Sequence, residues 1–190
     1  MPRFAYSLFS GVIAGQMISY FEDQFSFYQE LSTKIRSKLV VRLYHGDYKW
    51  NQRQRWLDKF PTIQFDNNTK MDSSVEQSRL IIATYSATTY NETLASNIPT
   101  IIFWDSNYWE LNKISDPIFQ KLKEVGIFHT SPESAARQVV KISNDIEKWW
   151  QDSELQRVRV EYCRSFAHRP RGLVNNIKME LVNQKNLVDF

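Results

Sequence analysis

The residues best suited to chemistry lie between Ser86 and Phe103. An apolar run, Leu80-Ile81-Ile82-Ala83, reads as a buried strand, and Ser86, Thr88 and Thr89 follow it in a hydroxyl-rich turn. A short helix comes next, with the carboxylate of Glu92 near its start, and Pro99 opens a second apolar strand. Where a strand runs into a helix N-terminus, unbonded backbone N–H groups face outward and favour anions such as phosphate. The three hydroxyls would add donors there, and Glu92 would accept hydrogen bonds from the hydroxyls of a ribose. Together these parts would form a grip for a nucleoside diphosphate. The same letters also fit a plain capping box, because Glu92 stands three residues after Thr89. The surrounding architecture has to separate the two readings.

The elements that would position this turn follow from periodicity. Residues 16–38 read as one amphipathic helix, with Met17, Phe21, Phe25, Tyr28, Leu31 and Ile35 recurring at spacings of three and four. Residues 39–44 are a β-branched strand candidate, 51–60 a helix on Trp56, Leu57 and Phe60, and 62–65 a short strand. Brief helices follow at 73–78 and 90–96, between them the strand 80–84 and after them the strand 100–104. A helix over 117–125 ends at Gly126, residues 127–129 form a small strand, and Ser131-Pro132 opens a helix as cap and first residue. From there the chain reads as essentially helical. Strand and helix alternate with connections too long for hairpins. That predicts an α/β fold, a doubly wound Rossmann-like parallel sheet with helices on both faces. We expect a single domain over residues 1–190, an α/β core at 1–148 and a helical C-terminal tail at 149–190.

In an open parallel sheet, ligands bind beyond the carboxyl ends of the strands. Three segments fall there: residues 42–50 with Arg42 and His45, the hydroxyl turn with Glu92, and residues 104–110 with Asp105. Arg42 and His45 suit phosphate oxygens, and the Trp and Tyr residues nearby suit the face of a base or sugar. Asp105 also fits a turn cap and His45 an ordinary turn residue. With five glycines, the chain holds neither a dinucleotide fingerprint nor a P-loop, which argues against a nicotinamide dehydrogenase or a kinase. His129 and His168 are isolated, no metal-ligand spacing appears, and we expect neither metal nor cofactor.

Bulk properties set the remaining bounds. A net charge of +3, spread in both signs, does not suggest nucleic-acid binding. The single cysteine, Cys163, excludes an internal disulfide and reads as a packing residue. No run approaches the roughly twenty apolar residues of a membrane span, and the first residues lack a signal-peptide pattern. The expectation is a cytoplasmic protein. Six Trp and twelve Phe give an aromatic content that core and interfaces should absorb.

Three stretches carry a family resemblance: Arg42-Leu43-Tyr44 through Trp50-Asn51-Gln52, Thr84 through Ala95, and Asn97-Ile98-Pro99 through Trp104-Asp105. Gly126-Ile127-Phe128-His129, Ser131 through Ala136 and Trp149-Trp150 agree with it. The chain resembles the C-terminal half of bacterial surface-antigen transferases, sugar transferases of surface polysaccharide and O-antigen biosynthesis that are similar to GT-B glycosyltransferases. The resemblance implies a nucleotide-sugar-binding domain with Glu92 on the ribose, Ser86, Thr88 and Thr89 near the diphosphate, and Arg42 and, more weakly, His45 on phosphate. It implies no catalytic residue that can be named here. It further implies an acceptor-binding N-terminal domain or partner chain, hence a fragment or split gene product, with peripheral membrane association through the acceptor. The alternatives are a non-catalytic interaction or regulatory domain of the same fold, and a nucleotide-sugar epimerase of GT-B shape.

Overall fold

Alternation along the most apolar strand sets the layers. In the computed structural model, which describes residues 12, 14–44, 46–47, 49–167 and 179, strand β4 (Thr100–Phe103) is buried throughout. Successive side chains of a strand point to opposite faces. Ile101 and Phe103 accordingly join one core with Phe27 and Leu31 and with Ala135, Ala136 and Val139. Ile102 and Trp104 join the other, with Leu94, Phe119, Phe128, Leu155 and Tyr162. Helices therefore cover both faces, as doubly wound packing requires.

The elements are short. Strands β1 (Val40–Val41) and β2 (Gln64–Phe65) pair in parallel, and β3 (Ile81–Ala83), β4 and β5 (Phe128–His129) form a second parallel sheet in that order. The expected α/β class, with parallel strands and a helical C-terminal region, is what the chain adopts. The strand candidates at 39–44, 80–84 and 100–104 are longer than the ladders that form. Two to four residues pair in each.

Nine α-helices connect the strands among the described residues: α1 (Met17–Glu30), α2 (Thr33–Arg36), α3 (Gln52–Lys59), α4 (Met71–Glu76), α5 (Thr88–Ala95), α6 (Asp116–Glu124), α7 (Pro132–Ile142), α8 (Ile146–Trp150) and α9 (Ser153–Phe166). The single helix expected over 16–38 is broken at Leu31, whose backbone is extended. Arg36 reaches back across the break, donating to the carbonyls of Leu31 (2.7 Å) and Gln29. Those are orphan acceptors at the end of α1. Upstream of the break, α1 serves two cores with different sides. Phe21, Phe25 and Tyr28 pack with Trp56 and Ile63 beside the β1–β2 pair, while Phe27 and Leu31 face β4 and α7.

The Ser131 cap and the Gly126 stop behave as the sequence predicts, and Asp152 adds a cap of its own. Ser131 accepts from the Ser134 N–H, and Pro132 starts α7. Gly126 ends α6 at φ +75°, and a Cβ there would meet Gln138 at 2.7 Å. Asp152 accepts from the Glu154 and Leu155 N–H groups at the start of α9. No described helix is long and apolar enough to cross a membrane. The tail beyond Ala167, apart from Met179, lies outside the described residues, as does His168.

Candidate functional site

The hydroxyl turn joins β3 to α5, and the helix start differs from the capping-box alternative. The N-cap position is Ala87, in extended backbone, and no side chain caps α5. Thr89 lies inside the helix, so Thr89 and Glu92 do not bracket its start. The first N–H groups of α5 thus have no side-chain partner among the described residues. Thr88 is the first helical residue and Glu92 stands four further on, which places them one above the other. Both are exposed, whereas Tyr90, Thr93 and Leu94 are buried on the opposite side. Ser86 and Thr89 are half-buried beside them.

Asp105 leaves β4 at the same edge, because β3 and β4 are parallel neighbours with Ala83 opposite Ile102. Its carboxylate accepts from the Asn107 N–H at 2.8 Å, and its carbonyl from the Tyr108 N–H at 3.0 Å. The side chain thereby caps its own turn. This turn carries Tyr108 and Trp109 alongside Tyr85, with the Tyr85 and Trp109 rings 6.4 Å apart. The N-terminal end of α1 ties both loops down. The Tyr20 and Thr84 hydroxyls are 2.8 Å apart, and the Tyr108 hydroxyl donates to Ser19 at 3.0 Å. An aromatic wall therefore stands beside the open helix end.

Arg42 leaves β1, in the other sheet. Its guanidinium donates to Asp66 at 2.5 Å, to the Asn68 carbonyl at 2.9 Å, to the Ser74 hydroxyl at 3.1 Å and to the Thr69 carbonyl at 3.3 Å. Ser74 also donates to the same Asp66 oxygen. Burial pushes the Asp66 carboxyl up. The hydrogen bonds from Ser74, the Asn68 N–H and Arg42, with the charge of Arg42, outweigh it and hold the group below its ordinary value. The fork of Arg42 is thus spent on pinning the loop from β2 to α4. Among the described residues, no hydrogen bond or ion pair links Arg42 to Ser86, Thr88, Thr89, Glu92 or Asp105. His45 lies outside the described residues. Nearby Asp47 accepts from the N–H groups of Asn51 and Gln52, capping α3.

One residue absent from the sequence reading is Asp23, on α1. Its carboxyl is pushed up to about 6, chiefly by burial and then by the charges of Asp105 and Glu133. Helical spacing alone gives no hint of it, because Asp23 sits off the apolar stripe and its neighbours arrive from β4 and α7. His129 closes β5 as a satisfied core residue. Its Nδ1 lies 2.8 Å from the Ser134 hydroxyl and its Nε2 lies 3.2 Å from the Gly126 carbonyl, while burial pulls its pKa down. No cluster of His, Cys, Asp and Glu suited to a metal ion occurs among the described residues.

A protein-family model, that of the LIC12162 family transferase, matches residues 1–181. No curated protein and no solved structure matches the chain.

Proposed function

The chain belongs to the LIC12162 transferase family, and on that premise we propose that it binds the nucleotide part of a nucleotide-sugar donor for glycosyl transfer in bacterial surface polysaccharide synthesis. The observation that carries this reading is the start of α5. The helix has no side-chain cap, its Thr88 and Glu92 share one exposed stripe, and it opens at the carboxyl edge of a parallel sheet. Backbone N–H groups and the hydroxyls of Ser86, Thr88 and Thr89 hold the diphosphate, with the helix dipole favouring its charge. Glu92, one turn deeper, accepts from the ribose. Asp105 and the aromatic wall border the ring of the ligand from the next loop. Arg42 acts on phosphate only after leaving Asp66, and otherwise shapes the site through the loop it pins.

The chemistry asked of these residues is electrostatic. Donors aimed at the departing nucleoside phosphate stabilise the charge that develops as the glycosidic bond to phosphate breaks. The acceptor comes from an N-terminal acceptor domain or partner chain, and the reaction takes place on the cytoplasmic side. Calorimetric titration with CMP, CDP, UDP and GDP tests the reading. Binding of at least one at or below about 1 mM, the upper end of usual substrate constants, supports it. Silence from all four overturns it.

A further inference from the structure

Helix α5 carries the stripe of Thr88 and Glu92 outward, and Tyr90 and Leu94 seat its opposite side in the core. The C-terminal helices add polar contacts to that packing. Three donors from α8 and α9 converge on the side and far end of α5. The Tyr162 hydroxyl donates to Asn91 Oδ1 at 2.5 Å. Arg159 donates to the Leu94 carbonyl at 2.8 Å, one of the last acceptors of the helix. The Trp150 indole N–H bonds the carbonyl and side-chain oxygen of Asn97, both at 3.1 Å, just past the helix end.

These contacts differ in what they constrain. Arg159 and Trp150 hold the end of the helix axis. Only Tyr162 grips a side chain in the middle, at the residue before Glu92. Consecutive helical residues are about 100° apart around the axis, so fixing Asn91 inward fixes the direction of Glu92. Tyr162 is almost fully buried. Burial, together with the neighbouring Tyr90, raises its phenol well above the ordinary range. The hydroxyl is therefore a permanent donor, and Asn91 Oδ1 is its acceptor at any physiological pH. The ring is held independently by stacking on Phe166, with centroids 5.3 Å apart, and by edge contact with Phe119 at 5.7 Å.

We propose that Tyr162 is a positioning residue of the nucleotide site: through Asn91 it sets the angle at which Glu92 meets the ribose, leaving the phosphate-binding end of α5 untouched. The inference rests on the nucleotide reading above and adds to it the ribose as the part of the ligand that Tyr162 governs.

Tyr162→Phe removes one hydroxyl and keeps the ring. The full chain and this variant are titrated with UDP, CDP, GDP and CMP, and with inorganic pyrophosphate, which has no ribose. The expected result is a loss of about fivefold in nucleotide affinity, the scale of one hydrogen bond, with pyrophosphate affinity unchanged. Arg157→Ala on the outer side of α9, where Arg157 pairs with Glu154 and Glu161, should leave both affinities alone. If the unaltered chain binds none of these ligands, the nucleotide reading fails and this inference falls with it. If nucleotides bind but Tyr162→Phe matches the unaltered chain, or weakens pyrophosphate equally, the reading stands and the positioning role is overturned.

Discussion

Replacing Arg42 with alanine removes four hydrogen bonds, from two guanidinium nitrogens, to the loop between β2 and α4 and to Ser74, and the structure sets the size of the loss. With Arg42 in place the Asp66 side chain is only 6% exposed, so the substitution takes from its carboxylate both a charge partner and part of its cover. A hydrogen bond to a charged group contributes about 1.5–3 kcal/mol, and such contributions do not add. Arg42 itself is 33% exposed, which brings in solvent screening and pulls the value toward that of a surface pair. Asp66 also keeps Ser74 and the Asn68 N–H. The balance is about 2 kcal/mol of lost stability at neutral pH, or about 4–8 °C in melting temperature for a chain of this size. The loss has a pH signature. A carboxyl held below its unfolded value contributes stability that is present above that value and disappears as pH falls through the folded one. With Asp66 held below 3.8, the deficit of the variant should be full at pH 7 and shrink as pH drops below about 4. Urea denaturation of both proteins from pH 3 to pH 8 reads this directly. Equal stability at pH 7, or a deficit that does not change with pH, would refute the argument that Arg42 works by compensating a buried carboxylate.

Other expectations follow from the same geometry. Glu92→Ala should weaken nucleotide binding about tenfold, the upper scale of one lost hydrogen bond, without moving the melting temperature, since Glu92 is exposed; unchanged affinity in calorimetry removes it from the site. Asp23 has a folded value near 6, above its unfolded 3.8, so its carboxyl disfavours folding increasingly as pH rises through that window. Asp23→Asn should therefore gain about 1 kcal/mol over the unaltered chain above pH 7, after discounting for partial exposure, and nothing at pH 3.5; paired melts at both pH values check the difference. Gly126→Ala forces a side chain into positive φ against Gln138 and should cost about 1–2 kcal/mol, whereas Gly126→Asn should recover part of it; equal melting temperatures for all three proteins would contradict the strain.

The layering of the fold was legible wherever one segment carried its own signal. The apolar runs at Ile81 and Thr100, the Ser131-Pro132 start and the stop at Gly126 each need no distant partner, and each forms where read, the two strands within shorter bounds. The break at Leu31 was not legible, because the heptad-like stripe runs on to Ile35 and only the reach of Arg36 back to Leu31 and Gln29 shows where α1 stops. The candidate site divides the same way. Ser86, Thr88, Thr89 and Glu92 are local to one turn, and the sequence groups them. The engagement of Arg42 with Asp66, and of Tyr162 with Asn91, joins residues 24 and 71 positions apart, beyond any pattern a linear reading can weigh. Asp23 escaped for the same reason: its shifted carboxyl depends on Asp105 and Glu133, which only the fold brings near.

Helix α1 presents Phe21, Phe25 and Tyr28 to one cluster and Phe27 and Leu31 to another. Its phase is consequently a shared specification. Inserting or deleting one residue between Phe21 and Phe27 would rotate everything downstream by about 100° and deny at least one cluster its aromatic plugs. Point changes that keep volume can be absorbed along this rod; changes in its length cannot.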